Sequence, residues 1–433
     1  MDDRQTFSSR FTTVLTMVGV AVGLGNVWRF PYMMGEYGGS AFLIVYLAFT
    51  ALLAVPAMTA EWTLGRETRR GPIGALAAVW GNRWGKRIGV LLVFTMVVST
   101  SYYIVVIGNI AFAASFSMVR GFSNDSLSSY QAAFADGWVQ YAFGMGVLTA
   151  AMYVLYRGVN KGIEAVSRLF VPAFTLVIVY LVVNALFLPG APAKFVAFLQ
   201  PDFSMLDAEH VFAALGQAFF SLGLAGTIMV IYGSYMQPEQ HIPRIAAFTA
   251  LGDVGAALLA SLFIVPTILV FGLDLSQGPT LVFTTLPNLF SVMPGGRVLG
   301  SAFLLVLSLI AFLSALGALE GIVGSISEML ESRSSRMRVI VAIFVIEALV
   351  MLPSSLNPDI VGTLDLVFGS GMQMLGSLIA VITVSWGLGA ATTKLQLFSK
   401  QSAGWHDTYV QWLKWVVPGV LLVVLLSYIV SNF

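Results

Sequence analysis

The stretch Gly19-Val-Ala-Val-Gly-Leu-Gly-Asn-Val-Trp-Arg-Phe-Pro31 interrupts an apolar run near the start of the chain with three glycines and a proline. Backbone amides and carbonyls inside a lipid bilayer must find partners within the protein, so a break in a spanning helix is tolerated only where it lines a cavity or is buried. Such breaks place half-helix ends and free carbonyls around a small solute and a cation. The stretch therefore predicts a spanning helix broken at Gly19–Asn26 beside a binding site.

Composition indicates that lipid surrounds most of the molecule. Of the 433 residues, 58% are hydrophobic and 10% are charged, whereas a soluble domain carries about 25% charged residues. The net charge of +1 gives no electrostatic reason to expect a nucleic-acid partner. The absence of cysteine excludes disulfides and thiol chemistry.

Eleven runs of the chain are long and apolar enough to cross a bilayer, which takes about 20 residues. They span roughly 11–35, 40–65, 87–118, 138–156, 163–188, 210–236, 242–272, 298–328, 337–353, 361–388 and 409–431. Runs of this length in lipid predict an all-α membrane protein. The polar stretches 119–137 and 189–209 are expected to hold short helices.

The basic residues predict the orientation. Of the 22 lysines and arginines, three (Arg120, Lys194 and Arg297) fall in one set of loops, Arg29 lies within a segment, and the remaining 18 fall on the opposite side. Cytoplasmic loops are enriched in lysine and arginine. This predicts a multi-pass protein of the inner (cytoplasmic) membrane with its N-terminus inside and its C-terminus outside.

A second interruption, Phe219-Phe-Ser-Leu-Gly-Leu-Ala-Gly-Thr227, lies in segment 6. Segments 1 and 6 correspond if the single domain 1–433 contains two inverted repeats of five segments, at about 11–188 and 210–388, followed by an extra helix at 409–431. Paired breaks at corresponding places predict a site near the middle of the membrane. Glycines that merely allow close helix packing are the alternative interpretation.

Several motifs strongly resemble the neurotransmitter:sodium symporter family. They are Gly23-Leu-Gly-Asn-Val-Trp-Arg-Phe-Pro31, Gly38-Gly-Ser-Ala-Phe42, Glu61-Trp-Thr-Leu-Gly-Arg66, Tyr102-Tyr103, Phe219-Phe-Ser221 and Leu286-Pro-Asn-Leu-Phe290. The resemblance implies sodium-coupled uptake of a small substrate by alternating access, and eleven segments are common in bacterial members. It implies no enzymatic activity.

The resemblance also implies one or two sodium ions. The first site would use Ala21, Asn26, Ser221 and Asp253, completed by a carboxylate of the substrate. The second site would use Gly19, Val22, Ile310 and Ser314. These positions offer carbonyl, hydroxyl, amide and carboxylate oxygens.

Three positions depart from the family pattern. Leu313 stands where the second sodium site usually has another hydroxyl, so one ligand is missing there. Asp253 replaces the usual asparagine of segment 7, and Ala257 replaces a serine of chloride-dependent relatives. We therefore expect no chloride requirement.

The substrate is expected to bring its own carboxylate, because Gly23 stands where monoamine transporters of the family carry an aspartate for the amine. This favours a neutral amino acid. Small residues at Gly226 and Ala318 favour a hydrophobic or aromatic side chain, unless the backbone closes in on them. The expected substrate contacts are Val20, Ala21, Leu24, Gly25, Ser99, Tyr103, Phe220, Ser221, Gly223, Gly226, Ser314 and Ala318.

Charged residues near the ends of the segments are expected to act as gates. Arg29 and Asp365 are ionisable residues within segments, which are usually paired or functional, and the resemblance makes them an outer gate with Gln217 nearby. Arg4 and Glu328 match an inner pair bridged by Tyr235. Glu61 is expected near the unwound backbone of segment 1. The alternative for Arg29 and Asp365 is that each charge pairs with a local carbonyl. The alternative for the inner pair is that both charges are exposed to solvent.

The sequence is compatible with other functions. The incomplete second sodium site is compatible with a sodium-independent or weakly coupled amino acid exchanger, or with uptake of another small zwitterion. No His-x-x-x-His or Gly-x-Ser-x-Gly constellation occurs in the segments, so an embedded enzyme lacks its chemistry. The expected partners are the amino acid and the lipid bilayer, with no nucleic acid and no protein partner predicted.

Overall fold

The computed structural model describes residues 5–273, 281–330, 333–398 and 404–432. All regular structure in these ranges is helical. The first nine helices are α1 (Arg10–Ala21), α2 (Gly25–Glu36), α3 (Ser40–Thr68), α4 (Pro72–Trp80), α5 (Lys86–Val119), α6 (Asn124–Phe134), α7 (Gly137–Tyr156), α8 (Val159–Leu186) and α9 (Ala191–Phe198).

The following nine helices are α10 (Ala208–Ser221), α11 (Ile228–Ser234), α12 (Ile242–Val270), α13 (Leu281–Val292), α14 (Gly296–Met329), α15 (Arg333–Leu356), α16 (Asp359–Leu388), α17 (Ala390–Phe398) and α18 (Gly404–Ser427). The short helices α6 and α9 occupy the two polar stretches for which short helices were expected. Helices α4, α13 and α17 have no counterpart in the sequence-based segments.

The helices confirm a multi-pass membrane architecture. Within the described ranges, nine helices are long and apolar enough to span a bilayer, and the pair α1 and α2 would make a tenth. Segment 6 comprises the two shorter helices α10 and α11, so the count of eleven spans and the inverted repeats stay predictions. Large apolar side chains point outward from the helices, as with Leu176 in α8 at 72% and Leu349 in α15 at 66% exposure, which is the surface that lipid solvates.

The first break is narrower than predicted. Helix α1 continues through Gly19 to Ala21, Val22 adopts an extended conformation, and α2 begins at Gly25 with the chain bent by 57°. The Val22 amide still donates to the Val18 carbonyl at 2.8 Å, so the break is confined to residues 22–24. Gly19 and Asn26 are therefore helical, since a glycine does not by itself end a helix whose hydrogen bonds are intact.

The second break covers residues 222–227, between α10 and α11. Gly223 and Gly226 adopt φ values of +65° and +66° there, a region that side-chain-bearing residues rarely enter. The predicted break began at Phe219, but Phe219–Ser221 form the last turn of α10. The glycines therefore set the position of this break.

Packing brings the two breaks together. Helix α14 lies along α5, α11 packs against α3, and α2 contacts both α10 and α12. Helix α1 packs against α8, α12 and α14. The interruptions thus face an interior bordered by α5 and α14.

Candidate functional site

A cavity lies between the two helix breaks. It is lined by Val20, Ala21, Gly23, Leu24, Gly25, Met96, Ser99, Thr100, Tyr102, Tyr103, Phe220, Ser221, Gly223, Ile228, Ser314, Ala318, Asp365 and Gln373. Every predicted substrate contact except Gly226 is among them. Met96, Thr100, Ile228 and Gln373 were not predicted, because none of them belongs to a sequence motif.

One corner of the cavity is formed by backbone and hydroxyl groups. The Tyr103 hydroxyl lies beside the Leu24 backbone and the Ser314 hydroxyl. A Cβ built on Gly23 would lie 2.7 Å from Ser314 Oγ and 3.0 Å from the Tyr103 hydroxyl oxygen. Gly23 therefore leaves no space for a side chain. The start of α2 adds helix N-terminal amides to this corner, an arrangement that suits a carboxylate.

The opposite part of the cavity is mostly apolar. Val20, Met96, Ile228 and Ala318 contribute aliphatic surface, and the Phe220 ring contributes an aromatic face. This division into a polar corner and an apolar remainder suits a molecule with one polar end and one hydrophobic end.

Gly226 does not enlarge the cavity, contrary to the sequence-based expectation. A Cβ at Gly226 would lie 2.3 Å from the carbonyl oxygen of Gly376 in α16. The backbone of α16 at Gly376 occupies the space that a side chain at position 226 would need. Ala318, by contrast, does line the cavity.

Three of the four residues predicted for the first sodium site, Asn26, Ser221 and Asp253, form one buried network, and the fourth, Ala21, lines the neighbouring cavity. Asn26 Nδ2 donates to Ser221 Oγ at 3.0 Å and to Asp253 Oδ1 at 2.7 Å, and Ser221 Oγ donates to Asp253 Oδ2 at 2.7 Å. The Gly23 amide donates to Asn26 Oδ1 at 2.9 Å. The sequence missed Tyr46, whose hydroxyl lies 3.5 Å from Asp253 Oδ2.

This network fits a cation. Asp253 is fully buried, and in the described chain it has no ion pair with arginine or lysine; its partners are neutral groups. A buried carboxylate without a compensating positive charge is strongly unfavourable. Carboxylate, hydroxyl and amide oxygens at one place are the ligands that hard cations prefer.

The residues predicted for the second sodium site lie where α1 meets α14. Ser314 Oγ donates to the Val20 carbonyl at 2.9 Å and to the Val22 carbonyl at 3.1 Å. Ile310 is fully buried in α14, and Leu313, one residue before Ser314, is 1% exposed. Gly19 lies beside the Leu313 side chain.

The predicted outer gate residues lie near one another without forming an ion pair. No nitrogen–oxygen distance of 4.0 Å or less joins Arg29 and Asp365, although both are in the described ranges. The Arg29 guanidinium lies 4.9 Å from the centre of the Phe220 ring, and Asp365 accepts a hydrogen bond from the Tyr102 hydroxyl at 3.1 Å. Gln217 Nε2 donates to the Gly25 carbonyl at 2.9 Å, which ties α10 to α2.

On the opposite side, Tyr235 has a partner that the sequence did not suggest. Its hydroxyl donates to Glu320 Oε1 at 2.5 Å, and Arg336 Nη2 donates to Glu320 Oε2 at 2.7 Å. Glu328 accepts from the Gly71 amide at 2.7 Å. Arg4 lies outside the described residues, so its pairing with Glu328 stays a prediction. Arg336 comes from the next helix, which explains why sequence position did not reveal it.

Residues 5–8, here called the N-terminal strap, bind the same side of the molecule. The Phe7 amide donates to the Tyr235 carbonyl at 3.1 Å, and Gln237 Nε2 donates to the Phe7 carbonyl at 2.8 Å. The Ser8 amide and hydroxyl donate to the two carboxylate oxygens of Glu164 at 2.8 and 2.6 Å. The Phe7 ring is fully buried.

Glu61 faces segment 6 rather than the expected segment 1. Its carboxylate is fully buried and is directed at the Ala225 and Gly226 amides and the Ser377 hydroxyl. These amides belong to the break between α10 and α11, where no helix supplies them with partners. Neither carboxylate oxygen of Glu61 has a hydrogen-bond partner among the described residues, so Glu61 lies near the unwound backbone next to the cavity without a hydrogen bond to it.

Comparisons with known proteins agree with this architecture. The family described as Sodium:neurotransmitter symporter family matches residues 4–126 and 132–433. An uncharacterized sodium-dependent transporter of Bacillus subtilis is 30% identical, over 98% of this chain and 97% of the relative. The creatine transporter of Torpedo marmorata is 27% identical, over 77% of this chain and 62% of the relative.

A solved structure is also similar. The crystal structure of MhsT in complex with L-phenylalanine superposes with a TM-score of 0.89 and 30% sequence identity, covering 98% of this chain and 100% of that one. The family match extends over nearly the whole sequence, and the fold agrees over the same length. The chain therefore belongs to the sodium:neurotransmitter symporter family, whose members are membrane transporters and not enzymes.

Proposed function

We propose that this protein couples the entry of sodium to the uptake of a neutral, hydrophobic or aromatic amino acid by alternating access. The observation that carries the proposal is the position of the polar cavity corner beside the first sodium network. Gly23 belongs to both, because its backbone lies against Tyr103 and Ser314 and its amide donates to Asn26. A carboxylate held in that corner lies next to the cation, so each ligand favours binding of the other.

The shape of the cavity supports an amino acid over an amine. Gly23 has no space for the aspartate that would pair with an amine, so the substrate supplies the negative charge itself. The amino group is proposed to bind carbonyls at the two breaks, and the side chain to lie against Val20, Phe220 and Ala318. The similarity to MhsT, solved with L-phenylalanine, supports an aromatic or other hydrophobic side chain.

The ion requirements follow from two residues. Asp253 can supply a negative charge of its own beside a bound cation, and Ala257 lies one turn further along α12. A second anion is then unnecessary for charge compensation, so we propose that transport does not require chloride.

The proposed cycle closes the cavity on alternate sides. Arg29 and Asp365 are proposed to approach each other over a bound substrate on the outer side. The inner side is proposed to be held closed by the contacts of Tyr235, Glu320 and Arg336, with the predicted pair of Arg4 and Glu328 adding to them. The bias of basic residues supports placing this inner side in the cytoplasm.

Uptake into liposomes tests the proposal. Purified protein is reconstituted, and radiolabelled phenylalanine uptake is measured with an inward sodium gradient and with potassium in its place. We expect accumulation only with sodium, and competition by other hydrophobic amino acids. A thermal-shift screen of amino acids and amines with both cations identifies ligands independently. Stabilisation by amines alone, or equal uptake with potassium, would contradict the proposal.

A sodium-independent exchanger is a second candidate, favoured by one observation. Leu313 places an apolar side chain where the second sodium site needs an oxygen ligand. A protein without either sodium site would exchange amino acids without coupling that exchange to the movement of sodium. Counterflow of labelled amino acid that persists at full rate without sodium would support the exchanger.

A further inference from the structure

The contact between α1 and α14 is where the family resemblance predicts a second sodium ion. The side chains there decide whether an ion fits. A dehydrated cation requires several oxygen atoms at short distance, because burial removes the water that stabilises its charge. The predicted ligands are the carbonyls of Gly19, Val22 and Ile310 and the hydroxyl of Ser314.

Methyl groups cover the Gly19 end of this contact. A Cβ built on Gly19 would lie 2.9 Å from Leu313 Cδ1 and 2.9 Å from Val171 Cγ2. Both side chains are buried, Leu313 at 1% and Val171 at 8% exposure. Aliphatic carbon from α14 and from α8 therefore lies directly against the Gly19 backbone.

The remaining hydroxyl is already engaged. Ser314 Oγ donates to the Val20 and Val22 carbonyls at 2.9 and 3.1 Å. The Val22 carbonyl, itself a predicted ligand, thus accepts a hydrogen bond from within the protein. The unwound end of α1 is satisfied by α14 without a cation.

We infer that Leu313 and Ser314 replace the second sodium ion with an apolar and hydrogen-bonded contact, and that the protein binds one sodium ion, at the network of Asn26, Ser221 and Asp253. The inference rests on the proposed sodium coupling. The contact between α1 and α14 does not depend on sodium concentration. Binding of the single ion is linked directly to the amino acid in the adjacent corner.

Ser167 is a nearby group that could supply a replacement oxygen. Its hydroxyl would lie 3.7 Å from a Cβ on Gly19, and it is buried without a hydrogen-bond partner in the described chain. The Leu313 and Val171 methyl groups lie closer to Gly19 than this hydroxyl does. The Ser167→Ala variant therefore belongs in the test.

Equilibrium binding of radioactive sodium to the full-length purified protein tests the inference. Saturation with and without phenylalanine gives the number of ions per protein, and its steepness gives the Hill coefficient. We expect one ion and a Hill coefficient close to one in the wild type and in Ser167→Ala. We expect Leu313→Thr, which restores a hydroxyl, to bind a second ion, and Leu313→Val, which only removes bulk, to bind one.

The outcomes separate the inference from the proposed function. Two sodium ions bound to the wild type would overturn the inference and leave the sodium coupling intact. If Ser167→Ala then lost one of the two ions, the Ser167 hydroxyl would be identified as the replacement ligand. One ion in Leu313→Thr, folded to the same extent as the wild type, would overturn the assignment to Leu313. No saturable sodium binding in the wild type would overturn the proposed function itself. The wild-type measurement decides the stoichiometry even if a variant does not fold.

Discussion

Adding one methyl group at Gly23 is expected to weaken substrate binding strongly. In a Gly23→Ala variant, the new Cβ would lie 2.7 Å from Ser314 Oγ, which is 0.7 Å short of the 3.4 Å at which ordinary contact begins. The Tyr103 hydroxyl, at 3.0 Å, would have to move by 0.4 Å. Both groups belong to the corner that is proposed to receive the carboxylate.

The size of the effect follows from how little these groups can move. The single proton of the Ser314 hydroxyl is shared between the Val20 and Val22 carbonyls, so moving Ser314 Oγ weakens that interaction. Overpacking of a filled site typically costs about 1–3 kcal/mol. If this strain falls on the bound state, the dissociation constant for the amino acid rises about 5- to 150-fold.

Binding of labelled phenylalanine to purified protein at saturating sodium measures this change. Gly216→Ala is the matched control, because it adds the same methyl group in α10 where nothing lies within 4 Å. We expect the control to bind as the wild type does. A Gly23→Ala variant with unchanged affinity would refute the assignment of the polar corner.

Three further outcomes are expected. Asp253→Ala removes the carboxylate oxygens from the sodium network and should raise the sodium concentration for half-maximal thermal stabilisation about tenfold or more, whereas the exposed Asp359→Ala should leave it unchanged; equal values would contradict the site. Replacing chloride by gluconate should leave phenylalanine uptake unaltered, because Asp253 supplies the negative charge and Ala257 offers no anion ligand; a strict chloride requirement would refute this. Glu320→Gln should lower the melting temperature, because it leaves the partly buried Arg336 without a compensating charge at a cost of about 1–3 kcal/mol. Combining it with Arg336→Met should recover part of that loss. A double variant less stable than the single one would disprove the pairing.

The sequence predicted the features that depend on local composition. The long apolar runs predicted the nine long apolar helices of the described ranges, and the glycine-rich stretches predicted where α1 and α10 end. The residues at which each break begins and ends could not be predicted from the sequence, because a helix ends where its backbone hydrogen bonds end. Gly19 stays helical because the Val22 amide still bonds to the Val18 carbonyl.

Features that depend on contacts between distant helices were not predictable. The expectation that Gly226 adds volume to the pocket was wrong, because the Gly376 backbone occupies the space. The pairing of Glu320 with Arg336 and the binding of Ser8 by Glu164 join residues from different helices or loops. A single sequence gives no indication of such pairs, since it does not show which residues of distant helices and loops meet.

We expect the N-terminal strap to set a trade-off between the rate of transport and the thermal stability of the protein. It joins α8, through Glu164, to the end of α11, through the Tyr235 carbonyl. Any motion that separates these helices must first break the bonds on one side of the strap, and hydrogen bonds to a charged group contribute about 1.5–3 kcal/mol each. That cost enters the activation barrier for opening. Variants that bind the strap more tightly will melt at higher temperature and turn over more slowly.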